Sequence, residues 1–303
     1  MSAIIQVRNL TKSFGDVKAV DELSFSVPAG KVYGFLGQNG AGKSTTIRML
    51  LTLIQPDSGS IEIFGSNLKK NRKDILRQTG AMIERPDMYK YLSALENLRI
   101  FAALSGVKVS RKKLMDQLEM VGLEERANSK VKTFSQGMKQ RLGIAIALVH
   151  DPQLIILDEP TNGLDPQGIA DIRNLIVHLS NDLGKTLLVS SHLLNEMELT
   201  ADSMLIIHKG KKVAEGKKEE LLDPEKTQVE LMTDDNETAI NIIKQTDWGS
   251  CLINASNRNI LFEMDKQQIP GLNRILVEKG INVLSLRPKH SLEDLFLSLT
   301  TNE

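Results

Sequence analysis

Apolar and polar residues alternate along DELSFSVP (21–28), the two-residue period of a strand with one buried face, and the β-rich run AIIQVRNL (3–10) precedes it. KVYGFLG (31–37) breaks that alternation. It is apolar almost throughout and ends in glycine, which predicts a strand buried on both faces. GKSTTIRMLLTL (42–53) follows with helical length and spacing, and GSIEIFG (59–65) is a further strand bounded by glycines. From about Lys69 to Val149 the pattern is mainly helical. SALENLRIFAALSG (93–106) and SRKKLMDQLEMVGL (110–123) each begin at a serine able to cap a helix. QLIILDEP (153–160) is an apolar strand with acids at its end, GIADIRNLIVHLSN (168–181) a helix and KTLLVSSH (185–192) another strand. SMLIIHKGKKVAEG (203–216) predicts two strands joined by a turn. Strands alternating with helices imply a mainly parallel sheet covered on both faces, with ligands bound at the carboxyl ends of its strands.

The pattern changes near LDPEK (222–226). Beyond it, TQVELMT, NETAINIIKQT, CLINASNRNILFEM, IPGLNRILVEKG and INVLSLRP give β, α, β-hairpin, α and β in turn, the order of a ferredoxin-like unit. The expected division is therefore 1–221, with a helical subdomain at about 85–150, and a smaller α+β domain at 222–303. The last helix, SLEDLFLSLT, sets Leu292, Leu295, Phe296 and Leu299 on one face, suited to packing on its own domain or to contacting a second subunit.

Composition narrows the field mainly by exclusion. The chain has 303 residues, 41% hydrophobic and 25% charged, which is enough apolar material for a core. Its 38 basic and 38 acidic residues cancel, which argues against a nucleic-acid partner. The basic clusters KKNRK (69–73) and KGKK (209–212) read as solvated turns or helix ends. A single cysteine, Cys251, excludes an internal disulfide, and the histidines lack metal-ligand spacing. MSAIIQVRNL lacks the apolar core of a signal peptide. The longest apolar stretch, LGIAIALV, is far short of the roughly 20 residues of a spanning helix. These features predict a cytoplasmic protein that reaches a membrane only through a partner.

The chemistry is concentrated in a few segments. GQNGAGKST contains G-x-x-x-x-G-K-S from Gly37 to Ser44, after a strand and before a helix. Its glycines let successive N–H groups turn around a phosphate, Lys43 supplies a point charge to the outer phosphates, and the Ser44 hydroxyl suits Mg²⁺. In LIILDEP, Asp158 is placed to hold Mg²⁺ and Glu159 to polarise an attacking water. Two adjacent carboxylates beside an apolar strand are costly unless a cation and a nucleotide site offset the repulsion. His192, after TLLVSS, is positioned either to donate to a γ-phosphate or to cap a helix. Phe14 in KSFGDVKAV can stack on adenine, although its local sequence fits a core aromatic better. FSQGMKQR (134–141) has the parts of a second anion cradle: Ser135 to cap a helix, Gly137 to admit close backbone approach, then Lys139 and Arg141. Taken alone it is equally a capped helix with solvated basic residues.

Phosphate loop, FSQGMKQR, LIILDEP, TNGLDP and His192, in that order, resemble the motifs of the ATP-binding subunit of an ABC transporter. The resemblance is strong over residues 3–220, and the ending SLEDLFLSLT resembles the tail of the drug- and bacteriocin-peptide-export subgroup. It implies an α/β P-loop NTPase of the ABC type, with a mainly parallel core sheet, an antiparallel β subdomain, a helical subdomain and a small α+β C-terminal domain. By position it makes Phe14 the adenine-stacking aromatic and Val20 its apolar neighbour. It assigns Asn39, Gly40, Ala41, Gly42, Lys43, Ser44, Thr45 and Thr46 to phosphates and Mg²⁺. Asp158 becomes the magnesium acid, Glu159 the catalytic base, His192 the switch histidine, and Asp165 part of a loop crossing between subunits. Ser135, Gln136 and Gly137 match the signature that closes over ATP held by a second subunit. The family signature reads Leu-Ser-Gly-Gly-Gln, so Gln136 replaces one glycine. The family's Mg²⁺-binding glutamine aligns with Glu84 in AMIERP, an acid that still suits Mg²⁺.

The implied activity is ATP hydrolysis coupled to export through a separate transmembrane permease on the inner face of the cell membrane. ATP and Mg²⁺ are the implied cofactors, and a homodimer the implied ATP state. The alternative within the resemblance is a soluble ABC ATPase of translation or repair. Those carry two cassettes or a long coiled-coil insertion, and this chain has one cassette and no heptad run.

Overall fold

Val32–Leu36 is buried at every residue, and its one polar side-chain group, the Tyr33 hydroxyl, donates to Glu215 Oε1 at 2.9 Å, so it needs strands on both edges and cover on both faces. It finds them at the centre of a six-stranded sheet. The computed structural model describes residues 3–84, 88–222, 228–255, 260–289 and 292–300. Packing divides the chain into two compact units, Met1–Lys218 and Glu219–Glu303.

The first unit opens with β1 (Ala3–Phe14), β2 (Val17–Pro28) and β3 (Val32–Leu36), followed by α1 (Lys43–Leu50), β4 (Ser58–Ile63), β5 (Ser66–Asn67), α2 (Arg72–Arg77) and β6 (Thr79–Met82). Then come α3 (Ala94–Leu104), α4 (Arg111–Met120), α5 (Gln136–Leu148), β7 (Leu154–Asp158), α6 (Pro166–Asn181), β8 (Thr186–Ser191) and α7 (Leu194–Thr200). The hairpin β9 (Ser203–His208) and β10 (Lys211–Lys217) ends it, and α8 (Lys218–Leu221) leads out. β2-β1-β4-β5 form an antiparallel sheet, while the central sheet runs β10-β9-β3-β8-β7-β6. β9, β3, β8, β7 and β6 are parallel, and β10 pairs antiparallel at the edge. The two sheets share one core around α1, in which Phe25 of β2 stacks on Tyr33 and Phe35 of β3 at 6.2 and 5.7 Å between ring centres.

The second unit contains β11 (Gln228–Thr233), α9 (Asn236–Lys244), β12 (Leu252–Ala255), β13 (Ile260–Glu263), α10 (Ile269–Glu278), β14 (Val283–Lys289) and α11 (Leu292–Thr300). Its strand order, β12-β13-β11-β14, is antiparallel throughout and is the split β-α-β arrangement. Val229, Leu231, Ile243, Phe262, Leu272 and Leu276 form a core of its own. On α11, Leu292 and Phe296 are buried and Leu299 is exposed, so the apolar face is covered at its start and open toward its end.

Helix starts follow the local chemistry. Ser93 begins α3 with a complete capping box, its hydroxyl accepting from Glu96 N while Glu96 reaches back to Ser93 N. Ser110 caps α4 and Ser135 caps α5. The region read as mainly helical also holds β6, an edge strand of the parallel sheet, which its four residues TGAM do not announce. Its Gly80 is dictated by α5: a Cβ there would lie 2.1 Å from the Ala147 carbonyl oxygen and 2.8 Å from Pro152 Cγ. That close approach fixes how α5, which begins at the signature, lies on the sheet. Gly80→Ala is expected to cost about 1–3 kcal/mol through overpacking, read as a lower urea midpoint at unchanged m-value; an unchanged midpoint would show that α5 shifts freely.

Candidate active site

The phosphate loop leaves the carboxyl end of β3, where a parallel sheet opens its ligand crevice. A Cβ on Gly37 would lie 2.5 Å from the Ile207 carbonyl oxygen, and one on Gly42 would lie 2.4 Å from that of Ala19. Gly42 also has φ +106°, which a side chain rarely adopts. Ala41 is buried; its N–H donates to the Gln38 carbonyl at 3.1 Å and its carbonyl accepts from Gly210 N at 3.0 Å. The β9–β10 turn thus buttresses the loop. Lys43 is buried, and its Nζ donates to the carbonyls of Gly37 (2.6 Å) and Gln38 (3.3 Å). Ser44 and Thr45 are half-buried at the start of α1, and Asn39 and Gly40 are exposed at the tip.

Three expectations change. Thr46 is fully buried and its hydroxyl donates to the Gly42 carbonyl at 3.0 Å, so it closes the first turn of α1 instead of facing a ligand. Val20 is fully buried behind Gly42 and presents no free face to a base. Phe14 is not a core aromatic: it is 52% exposed, with Lys12 Nζ 5.5 Å from its ring centre.

The acid pair sits at the carboxyl end of β7 and is organised from β8. Asp158 is fully buried, and its Oδ1 accepts from the Ser190 hydroxyl at 2.5 Å. The same hydroxyl oxygen accepts from Glu159 N at 2.9 Å. Glu159 has φ +50°, an unusual conformation for this residue type. Glu159 Oε1 lies 3.1 Å from Lys43 Nζ, and Oε2 lies 2.7 Å from His192 Nδ1. A carboxylate only accepts, so Nδ1 carries the proton. The carboxylate expected to act as base is therefore held between the loop lysine and the histidine. Ser190 was missed in the sequence. Its only signal is its place two residues before His192 on a buried strand.

Ser44, Ile83, Glu84, Gln136, Gln140, Asp158, Glu159, Asn162 and Gly163 line one cavity of about 680 Å³. It joins the phosphate loop and acid pair to the signature helix of the same chain. Glu84 reaches its rim but is 60% exposed, has φ +54° and is ion-paired with Arg48 of α1, so its carboxylate is already engaged. Asp165 caps α6, its Oδ1 accepting from Gly168 N at 3.1 Å. Ser135 is exposed and caps α5 through Met138 N, while Phe134 is buried beneath it. Ser135 and Gly137 are not among the residues lining the cavity; Gln136, on the same turn, is.

The ABC transporter family model matches residues 20–162. The chain is 45% identical over 302 residues to the bacitracin transport ATP-binding protein BcrA of Bacillus licheniformis, covering 99% of this chain and 98% of the relative. The chain belongs to the ABC transporter ATP-binding proteins. It is thus the ATP-binding, ATP-hydrolysing subunit of a transporter, and the translation or repair alternative is set aside. The lantibiotic transport ATP-binding protein SrtF of Streptococcus pyogenes is 43% identical over 212 residues, 70% of this chain and 90% of the relative. Among solved structures, a dimeric post-hydrolysis ATP-binding cassette bound to ADP and Pi is 26% identical, with TM-score 0.64 over 70% of this chain and 98% of that one.

In such an ATPase the Ser190 bridge sets the direction of both acids. Ser190→Ala is expected to lower kcat for ATP hydrolysis about 10–100-fold, the usual loss when an outer hydrogen-bond partner is removed. The KM for ATP should stay within about threefold, and Ser190→Thr should recover most of the rate. Parental kcat in Ser190→Ala, measured by phosphate release, would refute the positioning role.

Proposed function

We propose that this chain powers export of a peptide antibiotic through a separate membrane permease, acting as a homodimer on the inner face of the membrane with ATP and Mg²⁺. The end-to-end match to BcrA, including the second unit, carries the cargo reading, and SrtF supports the same class. Among the described residues no helix is long and apolar enough to cross a membrane, so translocation falls to a partner.

The dimer reading rests on Gly137. A Cβ there would meet only Leu164 Cδ2, at an ordinary 3.7 Å, and its φ is not positive. Nothing in its own chain requires glycine, and a glycine inside a helix costs about 0.5–1 kcal/mol. Close approach by a second subunit's nucleotide accounts for it, with exposed Ser135 and the N-terminal end of α5 directed at the γ-phosphate. Asp165 would lie in the loop between the two subunits. ATP then favours the closed pair, and loss of the γ-phosphate releases it, because only differential affinity shifts such an equilibrium.

The residues present fit Mg²⁺. Asp158 Oδ2 is buried without a hydrogen-bond partner on the cavity that Ser44 also lines. Mg²⁺ takes one or two protein ligands together with substrate phosphates. This agrees with the absence, among the described residues, of any cluster of three acidic, His or Cys ligands. When bound, Mg²⁺ would neutralise charge on the phosphates. The chain's own groups do the rest. The phosphate loop and Lys43 hold the phosphates, and Phe14 offers its exposed ring to adenine. Glu159 takes a proton from water as the oxygen bonds to γ-phosphorus and the bond to the β–γ bridging oxygen breaks. His192 orients Glu159 and turns to the γ-phosphate once nucleotide is in place.

Glu159→Gln should bind ATP within about threefold of the parent, lose at least about 100-fold in kcat, and run as a dimer on size-exclusion chromatography with Mg-ATP. A monomer under those conditions, or parental hydrolysis, contradicts the scheme. Affinity capture of the tagged chain from membranes tests the cargo reading separately: the expected companion is a multi-span protein whose loss sensitises cells to a peptide antibiotic.

A further inference from the structure

Gln140, on α5, is a polar side chain in an apolar helix face and is 2% exposed. Its Oε1 is buried with no hydrogen-bond partner, and the residue lines the same cavity as Ser44 and Asp158. Asp158 Oδ2 is the other wholly unpartnered buried oxygen there; Glu159 Oε1 also lacks a hydrogen bond but faces Lys43 Nζ at 3.1 Å. An unpartnered buried amide is costly, and an apolar residue of the same shape is neutral or better for stability. Leucine would serve the fold at least as well. Glu84, the residue aligned with the family's cation-binding glutamine, is meanwhile engaged by Arg48 at the rim.

We propose that Gln140 is a further residue of the ATP site in its own chain. Its amide oxygen accepts a hydrogen bond from water of hydration on the divalent cation that Asp158 and Ser44 hold. This rests on the Mg²⁺ reading above. It gives α5 two duties: its exposed start, at Ser135, serves the partner's nucleotide, and its buried face, at Gln140, registers its own. Gln140 is a positioning residue, because it reaches the cation only through water.

The test uses the full chain loaded with a non-hydrolysable ATP analogue, with Mg²⁺ affinity measured by calorimetry and Mn²⁺ affinity by electron paramagnetic resonance. Gln140→Leu should weaken cation binding about fivefold to tenfold. It should leave cation-free analogue binding unchanged and leave Tm equal or higher. Gln140→Glu, which adds a charge, should tighten the cation. A merely structural Gln140 predicts the opposite pattern: lower Tm in Gln140→Leu, with cation-free and cation-dependent binding falling together. That result, or parental cation affinity in Gln140→Leu, overturns the inference. Asp158→Asn separates the two levels. If it too leaves cation affinity unchanged, the Mg²⁺ reading fails; if it weakens binding at least tenfold while Gln140→Leu does not, only the role of Gln140 fails.

Discussion

Two carboxylates stand side by side at the end of a strand that is buried along its whole length, and the first unit is arranged around that repulsion. Asp158 lies wholly inside. A charge there is tolerated only when hydrogen-bonded or paired. The Ser190 hydroxyl donates a hydrogen bond to Asp158 and accepts one from the Glu159 N–H, so one hydroxyl anchors both residues from the neighbouring strand. The positive φ of Glu159 then turns the second carboxylate toward Lys43 and His192. The three partners come from β8, the first residue of α1 and the residue after β8. A parallel register brings them together, with Leu36 beside Ser191 and Asp158 beside Ser190. The sheet order is thus a condition of the chemistry.

The phosphate loop obeys a matching constraint from the other side. Gly37 and Gly42 are fixed by neighbouring backbone, at Ile207 and Ala19, before any ligand enters. A hydrogen bond from the β9–β10 turn holds the loop, and Lys43 is pinned by two carbonyls. A preorganised cradle loses little conformational freedom on binding. Gly137 differs, because its own chain has room for a side chain there. Gly37 and Gly42 answer to the fold, and Gly137 does not.

Most of this architecture was legible because its signals are local. Glycine spacing, serine caps and unbroken apolar runs state their structure within ten residues, and the five motifs together state the family. What the sequence left hidden depends on contacts far along the chain. β6 is a strand because Thr79–Met82 pairs with Leu154–Leu157, not because TGAM favours one. Ser190 looks like any small residue on a buried strand until Asp158 is placed 2.5 Å away. Thr46 reads as a ligand group by position, yet helix geometry turns its hydroxyl back to Gly42. Phe14 reads as core by composition, yet it stands beside a hairpin turn with its ring in solvent.

Glu84 shows how a departure from the family pattern is absorbed. A third acid near Asp158 and Glu159 would raise the local repulsion if nothing answered it. Arg48, in the last turn of α1, answers it, and the helix that begins with the phosphate loop ends by holding this carboxylate. Both partners are substantially exposed, and exposed ion pairs are worth only about 0–1 kcal/mol. The left-handed conformation of Glu84 costs about 1–3 kcal/mol, which the pair does not outweigh. A pair so weakly held neutralises the acid without locking it. On the proposed reading, a cation would be held by Ser44 and the buried oxygen of Asp158, with Gln140 acting through water, and the exposed acid at the rim would add little.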